Sequence, residues 1–297
     1  MLRLIKPLLA AGLIIYSAQM AVAQDRPRIV AVNHALQYFA QRLIGDAGDV
    51  VFPVPRDVDP SFWRPSIADI SMVQSADLVL LNGAGFASWI DRVSLSRAKL
   101  VNTSADIEDQ FIMTESITHS HGDGGEHSHE GVASYVWLDP TLAAAQAEAI
   151  AAAITARGLV SEADAQARLA ALRADLDALD DAAKAMRADL QDVTLIATHP
   201  RYEYFADRYD LSITSLEWDA GAMPTEADIS DLKSRITETG AQVLIWEATP
   251  PAGAFEMTSA LGLQNIVFPP LAQPVVGRTY TEVFEEAIFG LSEALDQ

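Results

Sequence analysis

Residues 161–190 read SEADAQARLAALRADLDALDDAAKAMRADL. The segment has neither Gly nor Pro, and its large apolar residues fall at Leu169, Leu172, Leu176, Leu179, Met186 and Leu190, with Ala183 filling the gap. Steps of three and four residues place them on one helix face, leaving Asp, Arg and Lys on the other. At 1.5 Å per residue such a helix is about 45 Å long, longer than a small domain is wide. Ser161 followed by Asp164 resembles a capping box, with Asp replacing the preferred Glu or Gln. A coiled-coil arm would satisfy the stripe. A rod laid across two lobes also would, and the flanking sequence supports it, because strand and helix patterns lie on both sides.

Upstream, short apolar strands at 28–33, 50–54 and 78–82 alternate with helical patterns at 34–44, 65–75 and 86–93. The nearly continuous apolar run Leu78–Leu81 suits a parallel strand covered on both faces. The rhythm fails from Asn102 to Ser134, then resumes with a short strand at 135–138 and an Ala-rich helix at 141–157. Downstream, strands at 193–198, 211–216, 242–246 and 265–268 alternate with helices at 200–209, 225–239, 252–261 and 280–291. The predicted fold is therefore α/β: two sandwich lobes, one long rigid helix joining them, and a ligand cleft between. The expected limits are 24–157 for the first lobe, 158–191 for the linking helix and 192–297 for the second lobe.

Residues 1–23 read as an export signal: Arg3 and Lys6, an apolar core from Leu8 to Tyr16, and the small-residue pattern Ala21-Val22-Ala23. There is no cysteine, so folding after export rests on the core alone, as suits a periplasm. With 41 acidic against 20 basic residues and a net charge of -21, nucleic acid and anionic lipid are excluded as main partners. A monomer is expected.

In open parallel sheets, ligands bind beyond the carboxyl ends of the strands. That rule selects the loop around Asp57, Asp59, Ser61 and Trp63, then Tyr135, His199, Glu217 and Glu247. His199 follows a strand directly, as an imidazole ligand or as a helix-start residue bonded to backbone. Glu247 leaves the buried run Val243–Trp246 and needs a positive partner, which is a metal, a helix N-terminus or an arginine such as Arg201. His34, at the end of the first strand, is a further ligand candidate or a helix cap. Within 115–131, His119, His121, His127 and His129 lie among glycines and carboxylates, a pattern for capturing Zn²⁺ or a similar ion on a mobile loop. GxSxG, HExxH and GxxxxGK[ST] are all missing, so an enzyme is not expected.

Several of these pieces resemble the periplasmic metal-binding proteins of zinc and manganese ABC importers, of the ZnuA-like type. They are Asp59-Pro60 with Pro65, Asn82-Gly83-Ala84-Gly85-Phe86 before Trp89, the histidine-rich segment and Trp137-Leu138-Asp139-Pro140. His199 with Tyr204-Phe205 and Arg208-Tyr209, then Glu247, continue the series. The resemblance implies a divalent metal between two lobes, Zn²⁺ first and Mn²⁺ or another cation next, handed to an ABC permease. It also implies ligands that this chain replaces: Ser61 and Tyr135 stand where histidines are expected, and Pro269 where a carboxylate is expected. His199 is kept. Two other readings follow, a cleft that has lost its metal and takes a different small ligand, and a periplasmic metallochaperone.

Overall fold

A computed structural model describes residues 26–114, 118–120, 126–128, 131–190 and 192–294, and the export signal lies outside them. In the first half, β1 (Arg28–Ala31), α1 (His34–Ile44), β2 (Asp49–Val51), α2 (Ile67–Ser75), β3 (Leu78–Leu81) and β4 (Leu100–Asn102) build a four-stranded sheet in the order β2-β1-β3-β4. Every pairing is parallel, and Ile29, Val30, Ala31, Leu78 and Leu80 are buried, as sheets covered on both faces require. Caps fix the helix starts. The Asn33 side chain accepts from Leu36 N, and Ser66 with Asp69 forms a complete capping box, so Pro65 lies just outside α2 rather than in its first turn.

Three local expectations change. The helix predicted at 86–93 is a 3-10 turn over Ser88–Arg92. Gly83, Ala84, Gly85 and Ala87 before it all take positive φ, which prevents a regular helix from starting there. At Gly83 a Cβ would lie 2.6 Å from Asn102 Oδ1, so the turn needs glycine. The predicted strand at 135–138 is likewise a 3-10 turn, Val136–Leu138. Within the histidine-rich segment, β5 (Thr118–Ser120) and β6 (Glu126–Ser128) pair antiparallel, with His119 opposite His127, above a bridge between Met113 and Val132. The segment expected as a mobile loop thus carries two short paired strands.

Two long helices follow, α3 (Pro140–Ala156) and α4 (Glu162–Asp189). The second half comprises β7 (Thr194–Ala197), α5 (Glu203–Tyr209), β8 (Ser212–Ser215), α6 (Glu226–Thr239), β9 (Val243–Trp246), α7 (Ala252–Ser259), β10 (Gln264–Val267) and α8 (Tyr280–Glu293). Its strands form a second parallel sheet, β10-β9-β7-β8. The architecture is two helix-flanked parallel sheets joined through α3 and α4. The buried face of α4 carries Leu169, Leu172, Leu176, Leu179, Ala183 and Met186, as the spacing predicts, and packs on α1 and α3 on one side and α8 on the other. One core runs from β1 and α1 through α4 to β7, β9 and α8. Among the described residues, no helix is long and apolar enough to cross a membrane.

The stripe contains one charge. Asp180 is buried, and its carboxylate accepts from Arg208 at 3.0 and 2.9 Å and from Tyr209 at 3.0 Å, with Lys184 at 2.6 Å. Burial alone would raise this carboxyl, but hydrogen bonds from Arg208, Lys184 and Tyr209 outweigh it and hold the group below its ordinary value. Its contribution to stability is therefore present at neutral pH and lost as pH falls through the depressed value, below about 4. Asp180→Ala should cost about 2–4 kcal/mol in urea titrations and flatten that acid limb.

Candidate functional site

The strand ends meet between the two sheets. After β7, the backbone of Thr198 bonds to Ile245 of β9, and the chain then delivers His199, Pro200 and Arg201. Glu247 follows the last residue of β9. From the first half come Asp59, on the loop after β2, and Tyr135, ahead of α3. Arg201 joins all of these. Its Nη2 donates to Asp59 Oδ2 at 2.6 Å, its Nε to Glu247 Oε2 at 3.4 Å, and its guanidinium carbon lies 4.8 Å from the Tyr135 ring centroid. Asp59 is fixed from behind by Ser61 N at 2.8 Å, and Ser61 Oγ lies 3.3 Å from Tyr135 OH. Two Arg201 contacts, to Asp59 and Tyr135, therefore cross from one half of the protein to the other.

Electrostatics divide the two carboxylates. Burial pushes Asp59 up, but Arg201 and the bonds from Ser61 outweigh it, so its carboxyl sits below the ordinary range. Glu247 goes the other way. Burial, reinforced by Asp59 and Asp219, exceeds the pull of Arg201 and raises it. Tyr135 is pushed well above the ordinary tyrosine value by burial and stays neutral. Burial alone would lower Arg201, but Tyr135, Asp59 and Glu247 outweigh it and hold the guanidinium protonated.

Above this cluster is a cavity of about 490 Å³, walled by residues of both halves, including Asp57, Asp59, Tyr135, Arg201, Glu247 and Pro269. Its volume falls in the range of small-molecule sites, about 300–1,000 Å³. The remaining sequence candidates are not among the residues that wall it. His199 is buried, with Nδ1 3.1 Å from the Trp218 carbonyl. His34 opens α1, with Nδ1 3.2 Å from Gln37 Oε1 and its backbone N–H on Ala272 O, and burial lowers its pKa. Trp63 packs edge-on against Trp89 in the first-half core, and Glu217 is exposed after β8, between buried Leu216 and Trp218. His119 and His127 are register partners in the hairpin, while His121 and His129 lie outside the described residues.

Among the described residues, no three His, Asp or Glu side chains come together as a group that could hold a metal ion. The cluster around Arg201 shows why. Two unit charges 4 Å apart interact by about 4 kcal/mol at an effective dielectric of 20, so a divalent ion meets about 8 kcal/mol of repulsion from a guanidinium at that distance. That cancels the attraction of one of the two carboxylates. The residues present suit a fixed guanidinium better than a bare divalent cation. Sequence reasoning offered Arg201 only as one of several partners for Glu247, although its place four residues beyond the end of β7 was a usable signal. In the segment from Phe268 to Gln273 it singled out only Pro269, as the place of a missing carboxylate, and not the bonds that tie this segment to both halves. There the Phe268 carbonyl accepts from Tyr202 and the Pro270 carbonyl from Trp137, while Gln273 Nε2 donates to the Pro55 and Val58 carbonyls at 2.8 and 2.6 Å.

Comparison with known proteins places this geometry in context. The family model described as zinc-uptake complex component A, periplasmic, matches residues 29–294. The high-affinity zinc uptake system protein ZnuA of Bacillus subtilis is 25% identical over 230 residues, covering 75% of this chain and 71% of that protein. Its namesake in Paracoccus denitrificans is 24% identical over 265 residues, covering 78% and 79%. In fold, the chain is similar to the Zn(II)-bound ZnuA-like domain of Streptococcus pneumoniae AdcA, with a TM-score of 0.76 at 18% identity over 92% of this chain and 100% of that one.

Removing the guanidinium leaves two buried carboxylates uncompensated. Arg201→Ala should lose about 3–5 kcal/mol in chemical denaturation. Without Arg201, burial raises the Glu247 carboxyl further above its unfolded value, so at this group the folded state binds more protons than the unfolded one. The variant should therefore be more stable at pH 5 than at pH 7.

Proposed function

We propose that the chain, which belongs to the periplasmic zinc-uptake component A family, is a solute-binding protein whose cleft takes a small ligand other than a bare divalent ion. Family membership makes it a periplasmic, non-catalytic component of a transport system related to the metal importers. What supports the change of cargo is one observation. Arg201 stands between Asp59 and Glu247 in the wall of the cavity, so the carboxylates that could attract a metal already share a cation. The membrane partner in this reading is an ABC permease, which receives the ligand from the cleft.

A second reading, zinc capture outside the cleft, is favoured by the hairpin register that sets His119 opposite His127. In it the protein traps Zn²⁺ on residues 115–131, for an importer or as a metallochaperone, and the cleft plays no part in holding the ion.

Isothermal titration with zinc separates the two sites. The wild-type protein should bind zinc only through the histidine segment, so replacing His119, His121, His127 and His129 together with Ala should abolish tight binding. One tight zinc equivalent surviving in that variant would place the ion in the cleft and overturn the proposal.

A further inference from the structure

Resting on the reading that the cleft holds no bare metal ion, we infer that its ligand is a small organic cation, an ammonium-bearing molecule with an apolar body, whose charge is received by Glu247. The first support is the charge balance of the Arg201 cluster in the cavity wall. One guanidinium faces two carboxylates, and the partnership is unequal. Asp59 is held by Arg201 at 2.6 Å and by Ser61 N at 2.8 Å, whereas Glu247 has Arg201 Nε at 3.4 Å, beyond the usual hydrogen-bond range. Glu247 is the carboxylate with bonding capacity left for a cationic donor.

Charge selects against the opposite ligand. A carboxylate or phosphate seeking Arg201 would approach between Asp59 and Glu247 and add a third negative charge to a buried site, while stripping one resident carboxylate of its partner. A compact divalent ion meets the guanidinium. A monovalent ammonium reaching Glu247 supplies the one positive charge that the cluster lacks. Elsewhere in the wall Arg56 and Asp57 carry opposite charges and leave this balance unchanged, while Val267, Pro269, Pro270, Pro274 and Val275 form an apolar stretch that suits a hydrocarbon body better than a hydrated ion. The net charge of -21 raises the local concentration of cations around the whole molecule.

The test uses the purified full chain and matched probes: cyclohexylamine and butylamine, the neutral isosteres cyclohexanol and butanol, and the anions cyclohexanecarboxylate and butyrate. Each is titrated into the millimolar range by calorimetry and thermal shift. The amines should bind at least about tenfold more tightly than their neutral and anionic counterparts, a difference of about 1.4 kcal/mol. Glu247→Gln keeps an oxygen for Arg201 and should remove about tenfold of amine affinity. Equal binding of amine and alcohol, preference for the carboxylate, or no amine binding overturns the cation assignment. So does a folded Glu247→Gln protein with unchanged amine affinity, and the wild-type probe ranking still decides the matter if that variant does not fold. Zinc binding by the variant lacking the four hairpin-segment histidines would instead remove the reading on which this inference stands.

Discussion

The apolar stripe of α4 is the constraint on which the rest depends. A helix of 28 residues spans about 42 Å, enough to lie against α1 and α3 at one end and α8 at the other. Burying Leu169, Leu172, Leu176 and Leu179 there is worth roughly 1.5–3 kcal/mol per side chain. Neither half could leave that surface without exposing it. The core is accordingly continuous through the molecule rather than divided at a flexible waist. A cavity held between halves tied in this way is formed before any ligand arrives, which lowers the ordering cost of binding. Asp180 is tolerated in the stripe because Arg208, Tyr209 and Lys184 surround it, and Arg208 and Tyr209 fasten α5 of the second half to the rod.

The Arg201 cluster is the second tie between the halves, and it obeys different physics. Buried ions are costly to desolvate, and mutual attraction returns that cost only where geometry and hydrogen bonds are good. Here the tight bond runs between the halves, from Arg201 to Asp59, and the looser one within the second half, from Arg201 to Glu247. Tyr135 covers the guanidinium with its ring face, and Phe86 and Trp137 pack against that ring in turn. The site is therefore built into aromatic packing that reaches the first-half core. Its charges are fixed in place, and a ligand must accommodate them.

Much of the fold was legible because its signals are periodic and local. The stripe of α4, its cap Ser161 and the apolar runs before His199 and Glu247 each announce an element within a few residues. What failed lacked such a signal. Ala84 and Ala87 adopt positive φ for reasons that lie in their neighbours, and the run Tyr135–Leu138 is too short to distinguish a strand from a turn by period. The strand-end rule selected Asp59, Tyr135 and Glu247, which the structure brings together in the wall of one cavity. It could not rank Arg201, because the decisive partner, Asp59, lies 142 residues away in sequence. Gln273 was hidden for the same reason, since its carbonyl partners Pro55 and Val58 lie in the other half.

The departures from the family's expected ligands make physical sense as a set. Ser61 and Tyr135 stand where histidines were expected, and their hydroxyls are 3.3 Å apart. Tyr135 presents its ring to Arg201, and the backbone of Ser61 holds the carboxylate that Arg201 grips. Random loss of metal ligands would leave gaps or stranded charges. These residues instead form one packed unit around a guanidinium, each supporting the next. Agreement among several independent local choices is evidence of what a site is arranged to do. A fold of this kind carries its function in a few side chains at the strand ends, so a change of cargo needs no change of scaffold. Arg201 supplies a permanent positive charge between the halves, and what remains for a ligand is the charge that one guanidinium leaves uncompensated.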